Sequence, residues 1–133
     1  MVRLFVESVP PVYLCCDTLL TAADIASAAR FQNDARRNEH LAWRRIVRRE
    51  LGRDVVIDYN EVGAPIVNKS GTYISIAHSR EVVVVAIAEE RVGVDIEWCE
   101  RNFSRAAERY ASAEEIALGG GDEDWLAKLW TAK

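Results

Sequence analysis

In Glu89-Glu90-Arg91-Val92-Gly93-Val94-Asp95-Ile96-Glu97-Trp98, two carboxylates stand two residues apart, just after a glycine. An extended chain points successive side chains to opposite faces. Val92, Val94, Ile96 and Trp98 then share a face fit for burial, and Gly93, Asp95 and Glu97 share the other. At roughly 3.3 Å of rise per residue, Asp95 and Glu97 start about 7 Å apart and lean toward the same space. Carboxylates that close repel one another unless a cation or a donor lies between them. A hard divalent ion such as magnesium suits the pair, because it takes a few carboxylates and completes its shell with waters and substrate phosphates. Gly93 leaves bare backbone where a ligand can come close. The plainer reading, a strand with a solvated acidic face, accounts for the same residues, since Asp and Glu are ordinarily exposed.

His78 is the next candidate. It precedes Ser79 and Arg80 at what reads as the connection between two strands, beside the acidic stretch. It is either a satisfied structural histidine or an anion contact. His40, mid-helix, is given no role. A third group is basic: the segment from Arg30 to Arg53 holds eight arginines against Asp34, Glu39 and Glu50, a local charge of +5. The net charge is −4, so the rest of the chain carries −9. A basic block within an acidic protein points to an anionic ligand or partner held at one place, not to a nucleic-acid coat. Arg37, Arg44 and Arg48 recur at i, i+7 and i+11, nearly in line on one helix face. With Arg36, Arg45 and Arg49 nearby, they are fit either to grip phosphate or to keep an exposed face soluble.

The elements that must position these groups follow from periodicity. Asp34 to Leu51 reads as the main helix, with Trp43, Ile46, Val47 and Leu51 as its core stripe and Gly52 as its stop. Ala22–Arg30 reads as a shorter helix capped by Thr21. Strands are expected over Leu4–Glu7, Val12–Asp17, Val55–Tyr59, Pro65–Val67, Tyr73–Ala77 and Val82–Ala88, with the acidic stretch as one more. Val82–Ala88 is apolar without alternation, as in a strand covered on both faces. Arg101–Tyr110 reads as loop or weak helix. Ser112 and Glu115 form a capping box before Ala113–Leu118, and Asp122 caps a last helix with an apolar stripe of Trp125, Leu126, Leu129 and Trp130.

The chain has 133 residues, half of them apolar and 29% charged, which suits one globular domain. No apolar run is long enough to span a bilayer, and the amino terminus does not read as a secretory signal, so a cytoplasmic protein is expected. Cys15, Cys16 and Cys99 have neither disulfide-framework nor metal-ligand spacing and read as reduced.

Taken together, the motifs resemble those of the 4′-phosphopantetheinyl transferases, of the surfactin-synthetase-activating type. Gly93-Val94-Asp95-Ile96-Glu97 matches the family's Gly-(Val/Ile)-Asp-x-Glu strand. Trp130-Thr131-Ala132-Lys133 matches its (Trp/Phe)-(Ser/Thr)-x-Lys-Glu-(Ala/Ser) helix as far as the lysine. Ser75-Ile76-Ala77-His78-Ser79 is similar to its (Asn/Ser)-x-Ser-His-Ser segment, and Gly63-Ala64-Pro65 to its Gly-Lys-Pro element. The Arg36-Arg37 and Arg44 pattern fits its basic amino-terminal helix. The likeness runs from about Arg30 to the end in matching order.

This resemblance implies an α+β fold, mainly antiparallel sheet packed by a long helix. It implies a first half over residues 1–91 and an incomplete second pseudo-repeat over residues 92–133. It implies Mg2+-dependent transfer of the phosphopantetheine arm of coenzyme A to a serine of an acyl or peptidyl carrier protein, releasing adenosine 3′,5′-bisphosphate. Asp95 and Glu97 would hold the metal and, with Lys133, serve catalysis. Arg37, Arg44, His78 and Ser79 would bind coenzyme A. No nucleic acid and no membrane are expected as partners. Two departures stand out: the family's third metal carboxylate would follow Lys133, and Ala64 occupies the place of a phosphate-binding lysine. A truncated transferase is therefore expected. The alternatives are a catalytically incomplete module binding coenzyme A or carrier protein, and a magnesium-dependent phosphodiesterase or nuclease. That last class predicts a lysine soon after Glu97, and none occurs before Lys128.

Overall fold

Asn33 starts the principal helix by accepting hydrogen bonds from the amides of Ala35 and Arg36 at 2.8 and 3.3 Å. This satisfies two of the donors that the first turn leaves without intrahelical partners. The structure, a computed structural model, describes residues 1–10, 17–98, 104, 107–122 and 124–132. The chain divides into two compact units, Met1–Asp95 and Ile96–Lys133. The division falls four residues after the boundary that the sequence suggests.

The first unit contains β1 (Arg3–Ser8), α1 (Ala22–Ala29), α2 (Asp34–Leu51), β2 (Ile57–Tyr59), β3 (Pro65–Val67), β4 (Tyr73–Ser79) and β5 (Val82–Ala88). A three-stranded sheet has the order β1-β5-β4, and a separate hairpin joins β2 to β3; every pairing is antiparallel. β5 is central and buried from Val83 to Ala88, as its unbroken apolar run requires. Trp43, Ile46 and Val47 on α2 pack on Ile74, Val83, Val85 and Ile87 of the sheet. Ile46, Val47, Val83 and Val85 are completely buried, worth about 1.5–3 kcal/mol each in transfer free energy. The architecture is α+β with antiparallel sheets. Among the described residues, no helix is long and apolar enough to cross a membrane.

In the second unit lie α3 (Ala107–Tyr110), α4 (Ala113–Ala117) and α5 (Trp125–Ala132). Ser112 and Glu115 form the expected capping box, exchanging bonds at 3.2 and 2.8 Å. The Trp125 indole donates to the Glu115 carbonyl at 2.7 Å, tying α5 to α4. Gly119 is needed here, because a Cβ at that position would collide with the Trp125 side chain. Tyr110 and Trp130 meet edge to face, with ring centroids 5.1 Å apart.

The structure corrects two expectations. β4 continues through His78 and Ser79, which pair with Val83 and Val82, so these residues end a strand instead of forming its connection. The turn is made by Arg80 and Glu81, Arg80 taking a left-handed φ of 53°. The acidic stretch is not a ladder strand: residues 91–98 carry no strand assignment. Its alternation survives, with Val92, Val94 and Ile96 half-buried between exposed Arg91, Gly93 and Asp95. The pattern then breaks, since Glu97 is half-buried and Trp98 is 40% exposed. The Val94 amide finds a side-chain acceptor, Ser75 Oγ at 3.1 Å. Residues 12–16 of the expected strand Val12–Asp17, the three cysteines and Lys133 lie outside the described residues, and Asp17 itself carries no strand assignment.

Candidate functional site

α2 presents its arginines to three different environments, which separate them by role. Arg44 and Arg48 point inward and are 3% and 4% exposed. Both grip Asp24, a fully buried residue of α1. Arg44 Nη1 donates to Oδ1 at 2.9 Å; Arg48 donates through Nε to Oδ2 at 2.5 Å and through Nη2 to Oδ1 at 2.8 Å. Asp24 also closes the α1 capping box by accepting the Thr21 amide at 2.8 Å. Burial works to raise the Asp24 pKa, but hydrogen bonds from Arg48, the Thr21 amide and Arg44 outweigh it and hold it down at about 2. Arg48 further donates to the carbonyls of Arg53 and Val55, and Arg44 to the Tyr59 hydroxyl. Arg44, expected to bind coenzyme A, is therefore an interior ion-pair partner, and so is Arg48. A buried carboxylate claims the face that looked like a phosphate grip.

His40 lies beside this network and is buried. Burial, and then the charges of Arg44 and Arg30, push its pKa down to about 4. Its Nε2 meets Ser27 Oγ at 2.9 Å, and it packs against the rings of Phe31 and Trp43.

The first turn of α2 is arranged differently. Arg37 is half-buried; it binds Asp34 Oδ1 at 2.7 Å and the Gln32 carbonyl at 3.1 and 3.0 Å. Arg36 instead reaches His78 at the end of β4: Arg36 Nη1 lies 3.0 Å from His78 Nε2. Glu39 Oε2 lies 3.2 Å from His78 Nδ1 and 3.3 Å from Arg36 Nη1. An arginine only donates, so Nε2 is the acceptor and the ring carries its proton on Nδ1, toward Glu39. The Arg36 guanidinium also lies 5.3 Å from the Phe31 ring centroid. Glu39 is mostly covered, while Arg36 and His78 are substantially exposed. The result is an exposed guanidinium held in place by a histidine and braced by a carboxylate. Arg36 has the partner that sequence alone could not choose among adjacent arginines. Ser79 is half-buried at the end of the same strand.

Further along the first unit, a cleft of about 610 Å3 opens between the β2–β3 hairpin and the start of β4. Ala64, Pro65, Ile66, Tyr73, Arg91 and Val92 help to line it. Asn60 Oδ1 accepts the Ala64 amide at 2.9 Å, fixing the Gly63-Ala64-Pro65 turn at its wall. Gly93 has open space over its Cα.

In the second unit, the Trp130 indole donates to Glu97 Oε1 at 2.6 Å. The tryptophan that opens one predicted motif thus holds the glutamate that closes the other. The sequence places Trp130 in an apolar stripe and at the head of a motif, and neither foretells this bond. Among the described residues, no group of three or more His, Cys, Asp or Glu side chains is placed to hold a metal ion. No protein-family model matches the chain, and no curated protein is significantly similar to it.

Proposed function

We propose that this protein transfers the 4′-phosphopantetheine arm of coenzyme A to a serine of an acyl or peptidyl carrier protein, with magnesium. The observation that carries this reading is the meeting of His78 with Arg36. The histidine of one motif and Arg36 of another lie 42 residues apart in sequence, and their contact holds a guanidinium with further donors at one exposed place. A phosphate oxygen suits such donors, and a guanidinium matches phosphate bidentately. In this reading Arg36, oriented by His78, holds a phosphate of coenzyme A, with Arg37 and Ser79 alongside. Arg91 lines the cleft that Ala64 also lines, and it supplies a cation where the resembling family carries a lysine.

Magnesium needs only one or two protein carboxylates beside waters and substrate phosphates. The hard oxygen donors Asp95 and Glu97, two residues apart in the chain, fit that demand. The ion would neutralise charge on the pyrophosphate as the bond to the leaving phosphate breaks. The carrier serine oxygen bonds to phosphorus, adenosine 3′,5′-bisphosphate departs, and the serine proton passes to a base. Lys133 would meet a phosphate oxygen.

A second reading is a module that binds coenzyme A or a carrier protein without chemistry. One experiment separates the two. The protein is incubated with coenzyme A, magnesium and apo carrier proteins, and the carriers are weighed. A mass gain matching the phosphopantetheine arm supports transfer. No gain with retained coenzyme A binding leaves the module, and no binding at all rejects both.

A further inference from the structure

Glu97 and Trp130 are 33 residues apart, yet their 2.6 Å contact is a short, charge-assisted bond. An indole N–H only donates, so it anchors one carboxylate oxygen and restricts the orientations left to the group. Trp130 is itself braced by the edge-to-face contact with Tyr110. Glu97 is drawn into half-burial, against the alternation of its segment, while Asp95 stays exposed. Holding a carboxylate this way costs side-chain freedom and part of its hydration. Carboxylates that ligate metals are commonly held by such outer hydrogen bonds, which set their orientation before the ion arrives.

We infer that Trp130 is a positioning residue for Glu97, presenting its carboxylate in one orientation to a divalent cation. This inference rests on the metal role proposed above for Glu97. It links α5 to cation affinity through a named bond, and it predicts a spectroscopic signature at one indole.

The test is a titration of the chain with Mg2+, and with Mn2+ as a paramagnetic probe, with and without coenzyme A. Indole N–H signals are followed by NMR; the Trp130 signal is identified by its loss in Trp130→Phe, a substitution that keeps a ring against Tyr110. Mg2+ is expected to shift the Trp130 signal and leave that of Trp125, bonded to the Glu115 carbonyl, in place. Trp130→Phe is expected to weaken Mn2+ binding about tenfold, and Glu97→Gln to weaken it at least as much. Metal binding by the wild-type chain that moves no Trp130 signal, or that Trp130→Phe leaves unchanged, overturns the positioning role alone. Should the wild-type chain bind neither ion, even with coenzyme A, the metal reading falls and the positioning role with it. Should the variant fold poorly, the Trp130 indole signal is assigned in the unaltered chain by its proximity to the Tyr110 ring, and the NMR arm stands.

Discussion

Arg36 Nη1 and His78 Nε2 lie 3.0 Å apart, joining the first turn of α2 to the last residues of β4. Glu39 touches both partners and offsets the guanidinium's charge from the covered side. An exposed pair of this kind gains little from its own contact, as exposed ion pairs generally do. Its value is larger when the guanidinium it orients faces an anion.

Arg36→Ala and His78→Ala are therefore each expected to weaken coenzyme A binding. A hydrogen bond to a charged group is worth about 1.5–3 kcal/mol, so losses of tenfold or more follow. The double variant should lose less than the sum, because His78 acts through the guanidinium it orients. Titration calorimetry measures all three. Full affinity in both single variants would remove the phosphate site from this place.

The interior arginines predict a different outcome. Asp24→Ala leaves two guanidiniums buried without their carboxylate, and breaking such a pair costs about 3–5 kcal/mol. Arg44→Ala should likewise lower stability, leaving Asp24 with Arg48 alone. Denaturant midpoints are the measurement, with coenzyme A affinity per folded molecule as the contrast. A loss of affinity in Arg44→Ala without a loss of stability would return Arg44 to the ligand site.

Stability should also fall in acid, in two stages. His40 has a folded pKa of about 4 against an ordinary 6.5, so the unfolded chain binds its proton more readily. Its contribution is complete above pH 6.5 and is lost as pH falls toward 4. Asp24, at about 2 against 3.8, contributes fully above 3.8, and that contribution is lost as pH falls through 2. Urea melts across this range should show both stages, and His40→Gln should flatten the upper one. An unchanged slope between pH 6.5 and 4 in that variant would assign the loss to other groups.

What the sequence disclosed, and what it hid, follows the range of each interaction. α2 was legible from Asp34 to Leu51 because its cap, stripe and terminal glycine are all local. The fates of its arginines were not, because Asp24 lies 20 residues before Arg44 and nothing local marks it as buried. Strand alternation in residues 92–96 reported which side chains are shielded, but it carries no information on whether the backbone is paired. The extension of β4 through His78 was hidden for a related reason: polar residues at a strand end have the composition of a turn. Trp130 fits an apolar stripe equally well whether or not its N–H meets Glu97.

The cleft wall offers a test of the coenzyme reading that is independent of His78. Arg91 and Ala64 line the same space, with Tyr73 and Ile66 supplying apolar surface. If Arg91 supplies the charge that Ala64 lacks, Arg91→Ala should reduce coenzyme A affinity several-fold. Installing Ala64→Lys in that background should restore much of it, because an ammonium on a flexible stem at another part of the same lining reaches the same anion. Rescue of this sort reports on charge in the cleft and not on folding, since both positions are exposed. Dephospho-coenzyme A, measured in parallel, shows which phosphate is involved: the arginine effect should vanish with it only if Arg91 reads the 3′-phosphate. An Arg91→Ala variant that binds coenzyme A as tightly as wild type, with Ala64→Lys adding nothing, would detach the cleft from the proposed activity.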